Sequence, residues 1–444
     1  MGSSTTAVLN SLAADPGRGH HGLDLARGAG LSSGSLYRAL VRLLRSGQIE
    51  ARWENGRRTY RLARGQAVHR RHAVPAHWLP AALAALITAW LVLDRPAGVR
   101  LSDLGVYTGA VEGLLHGASL YDFISASNAP FTYPPFAGLV FLPLADLSPL
   151  PLQLGWTLAT VVTVTGLALL PGVRAHAPWY ALVLVLSAPV SCDLKYGQVS
   201  IFLAALVAAD VLLLRESRWQ GLLIGLCAAI KLTPLIFIAM LWFAGRRRAA
   251  VLATATFTAC GLLAAVTLPA DSVRFWAIEI SHVSRLGYIT SVGNQSLNGA
   301  LMRLDLAAPT RSAVVLVLGG AVAALALFRA ARHGRRGDWL CALVVVGAAS
   351  VVLSPVSWTH HQVWLVAAAL LPVRGPAWAR RAWPVAVVAV MLLPVTALGP
   401  PVFSNARLLL AIAIAALVPF TPARPGRSAS GGAPVPTATA STGA

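Results

Sequence analysis

An aspartate stands at position 103, in LSDLGVYTGA, a few residues past the first segment apolar enough to enter a membrane. A carboxylate so near a lipid boundary is costly unless water, a partner or a substrate uses it. Other polar groups gather in the same way at the ends of apolar runs. They are Tyr107, then Tyr121 and Asp122 in YDF, Tyr133 before Pro134 and Pro135, Asp193, Lys195 and Gln198 in DLKYGQVS, and Lys231 and Thr233 in AIKLTP. GNQSLNG adds Asn294, Gln295 and Asn298, and SPVSWTHHQVW adds Ser357, His360 and His361. Of 36 basic residues only Lys195 and Lys231 are lysine. Lysine is a compact, mobile point charge that suits a phosphate held among helices, whereas arginine supplies a rigid fork or a topological charge. Lys231 lies inside a long apolar run and precedes Pro234, unlike a lysine snorkelling at an interface; for Lys195 the two readings are evenly matched. Adjacent histidines can ligate a metal, yet no carboxylate or cysteine lies at helical spacing from His360 and His361, and no metal is expected.

The elements that must position these residues are apolar. The 444 residues are 56% hydrophobic and 12% charged, against about 25% charged in soluble proteins, which excludes an ordinary soluble enzyme. Apolar runs cover 78–94, 134–147, 151–170, 179–192, 199–214, 219–244, 250–269, 312–330, 339–354, 361–373, 382–398 and 406–420. They are continuous rather than alternating, so they predict an all-α polytopic membrane protein with about 10–13 transmembrane helices rather than a barrel. The net charge of +20 falls largely in short loops, at Arg246 to Arg248, Arg329 to Arg336 and Arg374 to Arg381, which read as cytoplasmic markers. That bias puts the N-terminus inside and Asp103 outside. A hairpin broken at KLTP within 219–244, together with a 134–147 segment that dips without crossing, would bring Lys195 and Lys231 to the same outer face. Cys192, Cys227, Cys260 and Cys341 show no metal or redox spacing and read as small core residues.

Residues 1–77 differ, with 12 Arg and 4 acids and no secretory signal. TTAVLNSLAAD, GLDLARGAG and SSGSLYRALVRLLRSG read as three helices, the third capped by Ser32, and QIEARWENGRRTYRLA reads as a hairpin turning at Asn55-Gly56. This order resembles the winged helix-turn-helix domains of PadR-like and MarR-like repressors. The resemblance implies a small α/β module over 1–72, with Ser33, Ser35, Arg38, Arg57 and Arg58 as DNA-contacting residues; winged helices also bind proteins, so DNA and a protein are both expected partners. Residues 73–420 form the membrane domain, and 421–444, rich in Pro, Ala, Gly, Ser and Thr, read as a disordered low-complexity tail.

Six motifs in one order, DLGVYTGAVEGLLHGASLYD, FTYPPFAGLVFLPLA, YGQVSIFLAALVAADVLLL, GLLIGLCAAIKLTP, NQSLNG and SPVSWTHHQVW, resemble glycosyltransferase family 87, the actinobacterial polyprenol-phosphate-mannose-dependent α-1,2-mannosyltransferases of GT-C fold. The resemblance implies a plasma-membrane enzyme that moves a mannosyl or related residue from a polyprenyl-phosphate donor to a glycolipid or lipoglycan hydroxyl on the extracytoplasmic face. Asp103 is then the general base, with Asp122 its rival in sequence. Lys231, His360 and His361 are donor-phosphate residues, with Lys195, Gln198, Tyr133, Asn294 and Gln295 behind them. The donor is a substrate, and no cofactor is expected. A membrane-anchored regulator would explain residues 1–77 but not the outer polar islands; a lipid-linked sugar transporter would be expected to show internal repeats, and none is evident.

Overall fold

The structure, a computed structural model, describes residues 3–14, 19–54, 57–63, 76–170, 172–173, 176–282, 285 and 287–421, and the chain divides into two compact units, Met1–Pro75 and Ala76–Ala444. Asn55, Gly56 and the tail from residue 422 lie outside the described residues.

In the first unit α1 (Ser3–Ala13), α2 (Gly22–Ala29) and α3 (Ser33–Arg45) stand against a sheet of β1 (His20–His21), β2 (Ile49–Glu54) and β3 (Arg57–Leu62) in the order β1-β3-β2, all antiparallel. Leu36, Ala39, Leu40 and Leu43 fall at helical spacing and bury one face of α3 against Val8, Leu12, Leu25 and Ile49. The Ser32 hydroxyl accepts from the backbone N–H of Ser35, satisfying one orphan donor of the first turn. Gly30 closes α2 at φ 63°, a left-handed cap that suits glycine.

The second unit begins with α4 (Leu79–Leu93), α5 (Ser102–Leu115), α6 (Pro135–Phe141), α7 (Pro149–Ala168), α8 (Ala177–Leu186), α9 (Ala188–Tyr196) and α10 (Ser200–Leu212). It continues through α11 (Leu222–Ile230), α12 (Leu235–Phe243), α13 (Arg247–Thr267), α14 (Pro269–Ala277), α15 (Leu297–Met302), α16 (Ala308–Arg335) and α17 (Trp339–Leu353). The last helices are α18 (Val363–Ala367), α19 (Ala377–Leu392), α20 (Pro401–Ser404) and α21 (Ala406–Ile412).

The expected 10–13 membrane helices are not matched by length. Among the described residues four helices, Ala76–Leu93, Pro149–Ala168, Arg247–Thr267 and Ala308–Arg335, are long and apolar enough to cross, or five if α8 and α9, bent by 59°, form one span. The remaining apolar runs are carried by shorter helices, such as Ser200–Leu212 and Trp339–Leu353, or are divided. The 219–244 run breaks at Lys231–Pro234 into two nine-residue helices, each about 13 Å long. Hydropathy registers composition and does not see such breaks.

Lipid and protein take different faces. Leu83, Leu86 and Trp90 on α4, Leu262 and Val266 on α13, and Leu316 and Phe328 on α16 are exposed, the placement expected where hydrocarbon is the solvent. α17 is apolar all round and has 12 of its 15 residues buried, which makes it the central helix. α11 lies directly on α13. A Cβ on Gly225 would come 2.7 Å from that of Thr256 and 3.0 Å from the Ala253 carbonyl carbon, so only glycine allows the approach. At the arginine-bearing end Glu216, before α11, pairs with Arg246, after α12, at 3.3 Å, and Arg335 donates to the Phe243 carbonyl at 2.9 Å. The α11–α12 pair is therefore a hairpin with Lys231 at its tip.

Candidate active site

Asp103 sits in the first turn of α5, and Tyr107, four residues on, lies above it on the same helix face. The helix opens at Leu101, which is buried and left-handed at φ 47°. Gly197, the left-handed cap of α9 at φ 70°, presses against this turn: a Cβ there would stand 2.9 Å from that of Leu104 and 3.0 Å from that of Leu101. That close approach delivers the next residue, Gln198, to the carboxylate.

Gln198 Nε2 donates to Asp103 Oδ2, and the Ser102 hydroxyl donates to Oδ1 at 3.2 Å. Burial pushes the Asp103 carboxyl above its ordinary range, while the hydrogen bonds from Gln198 and Ser102 and the charge of Lys231 pull the other way. Gln198 Oε1 accepts from Tyr107 at 3.1 Å and Tyr133 at 3.0 Å, and the two phenol oxygens are 2.9 Å apart. Tyr133 is fixed by the turn before α6, its carbonyl accepting from the Tyr121 hydroxyl at 2.9 Å. Lys231, extended between α11 and α12, extends its ammonium to Ser200 Oγ at 3.3 Å and the Tyr133 oxygen at 3.5 Å. It also stands 5.1 Å from the centre of the Tyr133 ring.

One cavity of about 650 Å³ takes in Asp103, Tyr133, Gln198, Lys231, His360 and His361. The histidines occupy a tight turn after Trp358, their rings edge to face with centroids 4.4 Å apart. His360 Nδ1 lies 3.8 Å from Cys192 Sγ, and both ring nitrogens of His361 are buried, close to the Val356 backbone. Such nitrogens next to an ammonium form a wall able to meet an anion. The cavity therefore joins a carboxylate to a cluster of donors, as transfer from a phosphate leaving group requires.

The other expected residues lie differently. Lys195 is absent from the cavity wall and stands 4.7 Å from the ring centre of Tyr196, which does line it. Asn294 and Gln295 are fully buried off the cavity and bound to the protein itself. Asn294 Oδ1 accepts from the N–H groups of Ser296 and Ser357 at 3.2 and 2.9 Å. Gln295 Nε2 donates to Val292 and Ser404 carbonyls, both at 2.7 Å, and its Oε1 accepts from Leu408 N–H at 3.0 Å. Asp122 is off the cavity too; Arg274 holds it at 2.6 Å, and that hydrogen bond keeps its carboxyl below the usual range.

Glu279 and Arg285 line the cavity without having been singled out, bonded to one another, with Arg274 on Glu279 at 2.9 Å. The acid and bases of WAIEISHVSR, shortly after the 250–269 run, were the available signal. The metal-capable trio among the described residues, His333, Asp338 and Cys341, lies elsewhere. There Asp338 pairs with His333 at 3.0 Å and caps α17. In the first unit Ser33, Arg38 and Arg58 are exposed, Ser35 is half-buried, and the side chain of Arg57 lies outside the described residues.

The model of glycosyltransferase family 87 matches residues 131–355. A polyprenol-phosphate-mannose-dependent alpha-(1-2)-phosphatidylinositol pentamannoside mannosyltransferase of Mycolicibacterium smegmatis is 34% identical over 305 residues, 65% of this chain and 73% of that protein. A polyprenol-phosphate-mannose-dependent alpha-(1-2)-phosphatidylinositol mannoside mannosyltransferase of Mycobacterium tuberculosis is 33% identical over 322 residues, 66% of this chain and 74% of that protein. No solved structure gives a significant match.

Proposed function

The chain belongs to glycosyltransferase family 87, and from that membership we propose that it moves a mannosyl residue from a polyprenyl-phosphate donor to a hydroxyl of a phosphatidylinositol mannoside or related lipoglycan. The observation that carries this reading is the single cavity on which Asp103, Lys231, His360 and His361 meet. Asp103 takes the proton of the acceptor hydroxyl as its oxygen attacks the anomeric carbon from the face opposite the phosphate, and configuration inverts. The bond from that carbon to the phosphate oxygen breaks through an oxocarbenium-like state. Polyprenyl phosphate leaves as an anion that needs no proton, only the ammonium of Lys231 and N–H donors from the histidine pair.

The enzyme sits in the plasma membrane with its N-terminus cytoplasmic and its cavity extracytoplasmic. The arginine bias of the loops supports this orientation, as does the gathering of Glu216, Arg246 and Arg335 at the end of the α11–α12 hairpin away from Lys231. Residues 1–72 act as a winged helix that meets DNA through α3, a reading supported by the exposed Arg38, Arg42 and Arg45. Gel shift of the full chain in detergent tests it: DNA binding that weakens with salt is expected, and no shift leaves a protein as the partner.

Transfer itself is tested by incubating purified protein with polyprenyl-phosphate mannose and phosphatidylinositol mannosides and weighing the lipids by mass spectrometry. A gain of one hexose on the acceptor is expected. Acceptors left unchanged while the donor is consumed to free mannose would refute the acceptor assignment; an untouched donor would refute the donor.

A further inference from the structure

Lys231, Tyr133, Gln198 and Asp103 are joined by hydrogen bonds that all point one way. An ammonium only donates, so the Tyr133 oxygen 3.5 Å from Lys231 Nζ is an acceptor there; with Tyr107 donating across the 2.9 Å between the two phenol oxygens or to the amide, the Tyr133 hydrogen is free for Gln198 Oε1 at 3.0 Å. The Tyr107 hydroxyl reaches the same Oε1 at 3.1 Å. Two hydroxyls thus fix the amide oxygen, and a flipped amide would set that oxygen against the Asp103 carboxylate, two acceptors face to face. Gln198 Nε2 is left one task, donation to Asp103 Oδ2.

We infer that Gln198 is a positioning residue rather than a donor-phosphate ligand, and that through it and Tyr133 the occupancy of Lys231 sets the basicity of Asp103. The inference rests on the reading of Asp103 as base and Lys231 as phosphate ligand. With its ammonium on Tyr133, Lys231 polarises the phenol, Tyr133 polarises the amide, and the strengthened N–H bond favours the carboxylate over the acid. The 3.5 Å contact is the longest in the chain and the first to give. A phosphate that draws Lys231 away relaxes the polarisation, and Asp103 becomes the stronger base once a sugar is present to be attacked. The ionisable groups facing Asp103 are Lys231 from the hairpin tip, Asp193 and Cys192 from α9, Tyr107 from its own helix and Tyr133 from the turn before α6. The bonded path from the lysine to the carboxylate runs through Tyr133 and Gln198, with Tyr107 hydrogen-bonded to both.

The test is the acid limb of kcat/KM for the donor, which reports the free enzyme, in the full-length protein. Gln198→Met and Tyr133→Phe should each move the limb upward by about half to one pH unit, the scale of one hydrogen bond to a charged group. Tyr107→Phe, which loosens the amide but leaves the path, should move it less. Tyr133→Phe combined with Gln198→Met should move it no further than Gln198→Met alone, because the tyrosine acts through the amide. An unmoved limb in Gln198→Met, or shifts that add in the double variant, would overturn the inference. If Gln198→Met fails to fold, Tyr133→Phe deletes one oxygen and still decides the matter: a merely structural role lowers the yield of active enzyme without moving a limb. Turnover retained in Asp103→Asn would instead remove the underlying reading, whereas a dead Asp103→Asn with unmoved limbs removes only the coupling.

Discussion

Two buried polar regions in this apolar chain look alike in sequence and differ in what their atoms face. Around Asp103 the hydrogen bonds form an open chain that ends on a cavity, at a carboxylate on one side and an ammonium on the other. Around Asn294 and Gln295 the amides close on backbone groups of their own loop, of Ser357 and of the segment at Ser404 and Leu408. The first region keeps unspent bonding capacity and can do chemistry. The second has committed its capacity to holding a turn in place, and its contribution is stability.

The sharpest break of that contrast is Asp103→Asn. Asparagine is nearly isosteric but cannot take a proton, so turnover should fall by about 10²- to 10⁴-fold with expression and donor binding retained. In the wild type the carboxyl is raised by burial, so activity should fall with pH through a value above the roughly 3.9 of a free aspartate. Below that value the base is protonated and idle. A limb at or beneath the free value would mean that another group carries the proton.

Lys231→Met should lower kcat/KM for the donor by about 10- to 100-fold, the scale of a charge-assisted hydrogen bond. Lys231→Arg should restore part of it, because the fork differs from a point charge in shape and reach. Donor kinetics equal to wild type in the methionine variant would move Lys231 into the structural class.

Gln295→Leu should act on the other side of the comparison. It leaves the Leu408 N–H and two carbonyls without their partner, each costing about 1–3 kcal/mol if they stay buried, and thermal unfolding in detergent should register the loss. A changed donor KM in the folded fraction would show that this loop touches substrate after all. The smallest effect belongs to Asp122→Asn, an exposed carboxylate paired with Arg274; pairs of this kind contribute about 0–1 kcal/mol, and turnover should stay within about threefold. A dead Asp122→Asn beside an active Asp103→Asn would exchange their roles.

Asp103, Lys231, His360 and His361 were legible because a charged or titratable side chain is conspicuous where nearly every neighbour is apolar. The same conspicuousness misled at Asn294 and Gln295, since residue type shows that a polar group is present but not whether backbone already satisfies it. Lys195 illustrates the limit again: its rarity marked it, while the bend between α8 and α9 and the Gly197 cap decided that Gln198, three residues on, would reach the carboxylate. Glu279 and Arg285 escaped because they fall in a mixed stretch after α14 where several polar residues stand together and none is conspicuous by type. The length of the spans was hidden for a related reason, since a run of Leu, Ile and Ala reads the same whether one helix or two short ones carry it, and among the described residues only four or five helices are long enough to cross.

The glycines beneath Lys231 have a thermodynamic consequence. With Gly221 and Gly225 against α13, the α11 backbone rests on peptide groups and small side chains instead of on a cushion of rotatable ones. Hard contact of this kind removes the soft modes by which a helix tip wanders, so the lost freedom of the ammonium is charged to folding and not to each encounter with a lipid. Gly225→Ala should reveal this as a fall in kcat larger than the fall in melting temperature implies, because a displacement of about 1 Å at a reacting centre can cost on the order of 10² in rate. A site built this way gains speed from stiffness laid down before its substrate arrives.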